Sequence, residues 1–544
     1  MKNLYVVAIG GSGERVMRSL IMLLTSGVQV NAQRVIPVFI ENDVESAALH
    51  SCLRLLKYYH NNQADANSAG VGVNTLYKQQ LGADQNLWPS FCGATIAEPI
   101  ILNQAGDTIG TLADVIGNYD ASQSIYKRMN EERDLLFTSE DLQMPLTVGF
   151  VGNPNIGSIV LNSHSLSHQT FEDIKANLSS QDGLIVIGSL FGGTGAAGIP
   201  LVINSINELP VNNRPLLGTI AMLPYFVTNP GNTIANNVID TTKYNVQSDA
   251  FDAKTRAALM YYAEYMKNMD CMYYVGDSKA KDMYTHCVGG PNQDNRAHIV
   301  ELMSALSVVD FAKQQRGRNT TYKRPVWGIN DQQDGDVRKL PTNVSGIRNK
   351  ELARALVKFR MMMQIFRDPD LLKRSIDEKH PYATNIGFTE AMRNDVVQQN
   401  LANGNVSTWG LNNMLREWEK WMDQLGDDKA KRQFKIYNST KASTDKDLTS
   451  KFHSETGFGI AKTDLKRTTI FGPKVEVAMD ADIQEYLANA YNKLYPKGTK
   501  ADALKLNDND RLPRLLQIIS NALDEVLKNR CSDEVNEVEK LECR

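Results

Sequence analysis

The sequence predicts an α/β fold, a doubly wound and mainly parallel sheet followed by a mostly helical C-terminal region. Three observations predict it. Short apolar runs of strand length alternate with helical patterns as far as residue 315, as expected of βαβ units. Two of those runs, Leu4 to Ile9 and Gly183 to Ile187, pass directly into glycine-rich turns, Gly10 to Gly13 and Gly188 to Gly198. Beyond 315 the strand signal fades, and helical spacing separated by polar, lysine-rich stretches takes over.

Leu4 to Ile9 reads as the first strand, and Gly10-Gly11-Ser12-Gly13 as the turn into a helix from Glu14 to Leu24. Arg34 to Ile40 is a second strand, ending at Glu41-Asn42-Asp43 ahead of a helix that runs to Tyr59. Strand, glycine turn, helix and strand with acidic residues beyond it is a nucleotide-binding opening. Residues 60–140 are less regular, rich in Asn, Gln, Gly and Ala and then helical over 111–141, and read as an insertion or small subdomain. Leu146 to Val151 is expected to be a short strand running into the loop Gly152 to Gly157, with a helix over Gln169 to Leu178.

After Gly183 to Ile187 and its glycine loop, Ile199 to Leu209 is apolar enough for a packed helix. Leu216 to Leu223 is a buried strand ending at Pro224-Tyr225-Phe226, followed by a polar loop and a helix from Ala253 to Met269. Met272 to Val275 is a strand, and Ile299, Leu302, Leu306 and Val309 set the helical spacing of a long central helix over Arg296 to Lys313. Later, Pro325 to Ile329 and Val475 to Met479 read as strands, and 349–367, 409–425, 480–494 and 512–530 as helices. The domains are therefore 1–315, containing the 60–140 insertion, and 316–544.

Composition narrows the class. With 42% hydrophobic and 22% charged residues and a net charge of −3, nothing favours general binding to nucleic acid or anionic lipid. No apolar run approaches the roughly 20 residues of a spanning helix, so no membrane insertion is expected. The N-terminus does not read as a signal peptide. The 6 cysteines lack Cys-x-x-Cys spacing and read as reduced thiols of a cytoplasmic protein, with no metal site. His164 and His168 lack the glutamate of a zinc helix, and Trp409, Trp418 and Trp421 read as anchors of a helix pair.

A strand, a glycine loop carrying one hydroxyl and then a helix is a phosphate-binding geometry, because backbone N–H groups and the helix N-terminus attract anions. The loop lacks the Gly-Lys-Ser/Thr ending of a Walker motif. In its order of loops the chain resembles the tubulin/FtsZ superfamily over 1–315. Phe191-Gly192-Gly193-Thr194-Gly195 is similar to that family's Gly-Gly-Gly-Thr-Gly, and Asn153-Pro154-Asn155-Ile156-Gly157 to its Asn-Pro-Glu-Ile-Gly. Ile9 to Gly13 resembles its first glycine loop, Pro224-Tyr225-Phe226 its strand ending in Pro-Phe, and Gly276-Asp277-Ser278 stands where it has Pro-Asn-Asp.

The resemblance implies a site residue by residue. Gly10, Gly11, Ser12 and Gly13 would face the α- and β-phosphates of GTP. Gly192, Gly193, Thr194 and Gly195 would hold the β- and γ-phosphates, and Asn153 and Gly157 would shape the loop facing the γ-phosphate. Asn42 and Asp43 would reach a phosphate-bound Mg²⁺, and Asp277 with Asp294 or Asn295 would read guanine. Hydrolysis would come from a neighbouring subunit's acidic loop, here Asn330 to Asp336 with Asp331 and Asp334 as catalytic residues. The sequence departs from the family at Ala8, Ser12, Phe191 and Ala197. Glu14 also puts a carboxylate at a helix N-terminus beside the phosphates, with Arg15 as a compensating charge.

The resemblance thus implies a GTP-binding and GTP-hydrolysing protein that assembles head to tail with itself into filaments. Two further readings stand beside it. One is a non-hydrolysing nucleotide-binding scaffold whose helical C-terminal half docks a protein partner. The other is a dinucleotide-dependent enzyme using Gly10 to Gly13 alone.

Overall fold

The computed structural model describes residues 1–314 except 44, 64–94, 103–109, 118–123, 167, 235–247, 267, 278–280, 288 and 294. It also describes 326–328 and helical stretches within 355–362, 406–430, 482–494 and 517–525. The chain divides into two compact units. The first comprises Met1–Leu20, Asn31–Arg54 and Ile96–Ile329, and the second Ile21–Val30, Leu55–Thr95 and Asn330–Arg544.

The chain opens with β1 (Asn3–Ile9), α1 (Gly10–Thr25), β2 (Arg34–Ile40) and α2 (Ala47–Gln63), the later parts of α1 and α2 belonging to the second unit. Short strands β3 (Thr95–Ile96) and β4 (Ile100–Leu102) precede helices α3 (Leu112–Ile116), α4 (Ser124–Leu136) and α5 (Ser139–Leu142). Then come α6 (Pro154–Val160), α7 (Gln169–Asn177), β5 (Gly183–Ser189), α8 (Gly193–Asn207) and β6 (Leu216–Met222). The unit continues through β7 (Phe226–Ile234), α9 (Phe251–Tyr265), β8 (Cys271–Gly276), β9 (Asp282–Cys287), α10 (Ile299–Phe311) and β10 (Val326–Gly328).

The main sheet runs in the order β10-β8-β6-β5-β1-β2-β3, with β4 also paired to β2. The pairings β1–β2, β1–β5, β5–β6, β6–β8, β8–β10 and β2–β4 are all parallel. All seven residues of β5 and of β6 are buried, which is why these strands read as unbroken apolar runs. On one face Tyr5, Val7, Leu184 and Val186 join a core with Ile156, Phe171, Val202 and Ile206. On the other, the Phe311 ring of α10 lies against Gly218, where a Cβ would sit 2.6 Å from it.

Parallel order places the carboxyl ends of all these strands at one edge. The chain starts at β1, adds β2 on one side and returns through β5 on the other, so the order reverses between β1 and β5. Ligands of open α/β sheets bind in the crevice at such a reversal.

Several elements differ from their sequence expectation. Leu146 to Val151 is not a strand but a 3-10 turn, Leu146–Val148, that leads toward α6. Pro154 at N1 and the Asn153 cap start α6 where a loop was expected; Asn153 Oδ1 accepts the N–H groups of Asn155 and Ile156 at 3.1 and 3.4 Å. Helix α8 begins at Gly193, ahead of the expected Ile199, because small residues there fit close contacts in spite of poor helix propensity. The polar segment after Phe226 forms β7, which pairs in parallel with β9 as a two-stranded ribbon.

Pro200 lies inside α8 and cannot donate to the Ala196 carbonyl. The Tyr262 hydroxyl of α9 fills that vacancy at 2.8 Å.

The described part of the second unit is mostly helical, including α11 (Val406–Leu425) and α12 (Asp482–Leu494). Trp418 and Trp421 are fully buried, as expected of helix anchors, and Trp418 Nε1 donates to Ser26 Oγ at 2.7 Å. Arg360 pairs with Glu419 at 3.2 Å, Lys358 with Asp524 at 2.6 Å, and Lys493 with Glu525. The Trp409 side chain and Val475 to Met479 lie outside the described residues. Among the described residues no helix is long and apolar enough to cross a membrane.

Candidate functional site

Three loops far apart in sequence converge at the carboxyl edge of the sheet. Gly10 takes φ +69° to turn from β1 straight into α1, a left-handed conformation that favours glycine. A Cβ there would lie 3.1 Å from Thr194 Cβ. A Cβ on Gly193 would lie 3.0 Å from the Asn153 nitrogen, and one on Gly157 would lie 3.0 Å from the Gly193 oxygen. The first glycine loop, the signature-like loop and the Asn153–Gly157 loop therefore touch.

Around them lies an open cleft of about 180 Å³. Its floor is formed by Gly11 and Ser12 in the first turn of α1, and by Gly192 and Thr194 at the start of α8. Two helix N-termini thus face one space, each carrying unpaired N–H groups and positive partial charge. Gly149, Phe150, Val151 and Gly152 supply one wall. Val151 has φ +44° between Gly149 at +80° and Gly152 at +72°, a strained geometry for a β-branched residue that costs about 1–3 kcal/mol.

Another wall is aromatic. Phe191, Phe226 and Phe251 line the cleft, with Phe191 centred 4.7 Å from Phe251 and 5.5 Å from Phe226. Phe226 stacks at 5.1 Å on Tyr284 of β9. Cys287 at the end of β9, with Gly289 and Gln293 beyond it, also lines the cleft.

Glu41 and Asp43 line the cleft at the end of β2. Glu41 Oε1 accepts the N–H groups of Asn42 and Asp43 at 2.8 and 3.0 Å, and burial pushes its pKa up to about 7. Asp43, also raised by burial, accepts the Gly290 N–H at 2.6 Å. Glu14 does not face the cleft; it is fully buried and accepts from Ser46 Oγ at 2.8 Å. Burial first, and then the Glu41 charge, hold its pKa well above the usual carboxylate range.

Arg15 does not compensate at the phosphate position, because it is committed elsewhere. Its Nε donates to Glu301 at 2.7 Å and its Nη2 to the Tyr225 hydroxyl at 2.6 Å. Its guanidinium also lies over the rings of Tyr225, Phe226 and Tyr284 at 5.8, 5.5 and 5.3 Å. Burial opposes its charge, but Glu301 and the tyrosines outweigh that and raise its pKa further. Glu301 Oε2 in turn accepts the His298 N–H at the α10 cap, and His298 Nδ1 accepts from Val300, both at 3.1 Å.

The residues expected at the site therefore fall into three groups. Gly11, Ser12, Asp43, Gly192 and Thr194 line the cleft. Gly10, Gly13, Asn42, Asn153, Gly157, Gly193 and Gly195 frame it: Asn153 caps a helix, Asn42 donates to Glu41, and the glycines permit close backbone packing. Asp277 is buried beyond β8, and neither it nor Asn295 lines the cleft. Asp331 and Asp334 lie outside the described residues, as does Asp294. Sequence reasoning missed Glu41, Ser46, Phe251, Gln293 and the β7–β9 wall; the Pro224-Tyr225-Phe226 motif and the Gly289-Gly290 pair were the available signals.

No lysine or arginine lines the cleft among the described residues. Nor do three His, Cys, Asp or Glu side chains there come close enough to hold a metal ion. Mg²⁺ at phosphates needs only one or two protein carboxylates, and Asp43 and Glu41 fit that number. The fold and cleft define a parallel α/β protein with a glycine-lined crevice at its strand-order reversal. The sequence matches no protein-family model and none of the curated proteins compared with it.

The raised carboxylates set a pH dependence. Glu41 and Glu14 bind protons more tightly folded than unfolded, so their contribution is complete below about pH 4.5 and is lost as pH rises through the folded values, about 7 for Glu41. The melting temperature is expected to rise on titration from pH 8 toward 6. Glu41→Gln, which keeps the accepting oxygen, should raise it at pH 8 and flatten the profile; differential scanning calorimetry across pH checks this.

Proposed function

We propose that the protein binds a nucleoside triphosphate, GTP, in the cleft, and that it is a divergent tubulin/FtsZ-like protein. The observation that carries this reading is the convergence of Gly10–Gly13, Asn153–Gly157 and Gly192–Gly195 on one crevice. A dinucleotide enzyme using the first loop alone leaves the other two without a role. In this reading N–H groups of Gly11, Ser12, Gly192 and Thr194 hold the phosphates. Asp43 and Glu41 face the Mg²⁺ that accompanies them, and that ion supplies the neutralising charge the cleft walls lack. Phe191, Phe226 and Phe251 offer apolar faces to the nucleoside.

Turnover belongs to Asp331 and Asp334 of a second copy docked head to tail, polarising the attacking water. The test uses the purified full chain. Calorimetric titration should show Mg²⁺-dependent binding of a non-hydrolysable GTP analogue over the ATP analogue. The GTPase rate per subunit should rise with protein concentration and fall in Asp334→Ala, while negative-stain images show filaments. Binding without turnover supports the scaffold reading; absence of nucleotide binding rejects the proposal.

A further inference from the structure

Lys254 is a cation placed beside the cleft that forms no ion pair among the described residues. It lies on α9 three residues after Phe251, and residues spaced i and i+3 share a helix face; Phe251 lines the cleft. Its Nζ donates to the Gly152 carbonyl at 2.7 Å, and Gly152 belongs to the cleft wall. Among the described residues that carbonyl is the ammonium's only hydrogen-bond partner, although an ammonium has three donors to place. Half-burial without a carboxylate lowers its pKa, as it does for an ammonium short of compensating charge.

The wall that Lys254 grips is also strained, with Val151 held left-handed between Gly149 and Gly152. Strain of this kind persists where the surroundings over-determine it, and it clusters at ligand clamps and switch regions.

We propose that Lys254 is the residue that distinguishes a nucleoside triphosphate from a diphosphate, by moving from the Gly152 carbonyl to the terminal phosphate. This rests on the nucleotide reading above and assigns a specific residue to it. An anion with a full charge outcompetes a neutral carbonyl for an ammonium, since Coulomb attraction between opposite charges adds to a hydrogen bond that is charge-assisted in either case. Loss of the bond to Gly152 then frees the strained wall to relax around the phosphate. The diphosphate lacks the group to which Lys254 would transfer, so the bond to Gly152 persists.

The test compares Kd for GDP and for a non-hydrolysable GTP analogue, with Mg²⁺, in the full chain and in Lys254→Gln, Lys254→Met and Lys254→Arg. Glutamine keeps a donor for the Gly152 carbonyl and removes the charge, which separates phosphate recognition from loop support. Gln and Met should each weaken triphosphate binding by about tenfold, as one charged hydrogen bond implies. GDP affinity should hold, and Arg should restore the preference. Equal weakening of both nucleotides, or full preference in Lys254→Gln, overturns the assignment while leaving nucleotide binding intact. A wild-type chain that binds neither nucleotide overturns both.

Discussion

Arg15→Met is expected to destabilise the first unit by about 3–5 kcal/mol, because it leaves the buried Glu301 carboxylate without its cation. Glu301 is 1% exposed and Arg15 sits within a cage of Tyr225, Phe226 and Tyr284. The substitution thus removes an ion pair, a hydrogen bond to Tyr225 and the packing of a guanidinium on three rings. Arg15→Met combined with Glu301→Leu should recover much of the loss, since a buried pair replaced as a whole by apolar groups is often near neutral. Urea denaturation of the single and double variants measures it. A single variant within 1 kcal/mol of wild type would show that this network contributes little, on the scale by which surface pairs are judged.

Gly13→Ala and Gly11→Ala, two positions apart on one helix, are expected to have opposite effects. A Cβ at Gly13 would lie 2.6 Å from the Ile187 carbonyl oxygen and 3.1 Å from the Ala8 carbonyl carbon. Both belong to the backbone of central strands and have no room to yield, so α1 must lift from the sheet at a cost of about 3 kcal/mol. A Cβ at Gly11 meets only Gln293 Oε1, at 3.9 Å. Alanine there should leave the melting temperature unchanged or higher, as helix propensity favours it by up to about 1 kcal/mol. It nonetheless places a methyl group on the cleft floor, and nucleotide affinity should fall by at least about tenfold, corresponding to 1.4 kcal/mol. Thermal melts paired with titration calorimetry distinguish the two. Gly13→Ala melting like wild type would contradict the packing account.

These glycines also show how far the sequence was legible. Buried strands announce themselves through apolar runs, and β2 occupies the expected Arg34 to Ile40. A glycine string does not say whether its small residues admit a ligand or another backbone. Gly10–Gly13 and Gly192–Gly195 read alike as phosphate loops, yet Gly13 and Gly195 are fixed by packing while Gly11 opens on the cleft. The distinction depends on which strand passes beneath, a non-local fact.

Polar residues were misread for a related reason. Glu14 and Arg15 looked like a charge beside the phosphates and its remedy, but their partners Ser46, Tyr225 and Glu301 lie far along the chain. The β7–β9 ribbon escaped notice because β7 carries Asn, Pro, Gly and Thr and β9 Asp, Thr and His, without a sustained alternating apolar pattern.

The absence of lysine and arginine among the described residues lining the cleft bears on how such a site tolerates sequence drift. Recognition carried by peptide N–H groups belongs to the main chain, which every substitution preserves unless it is to proline or forces the backbone to move. In the proposed site, side chains around the crevice other than Lys254, Glu41 and Asp43 can then be exchanged over generations without loss of the main-chain phosphate contacts. Two descendants could keep the same crevice while sharing few residues beyond the glycines that let the chain turn and pack.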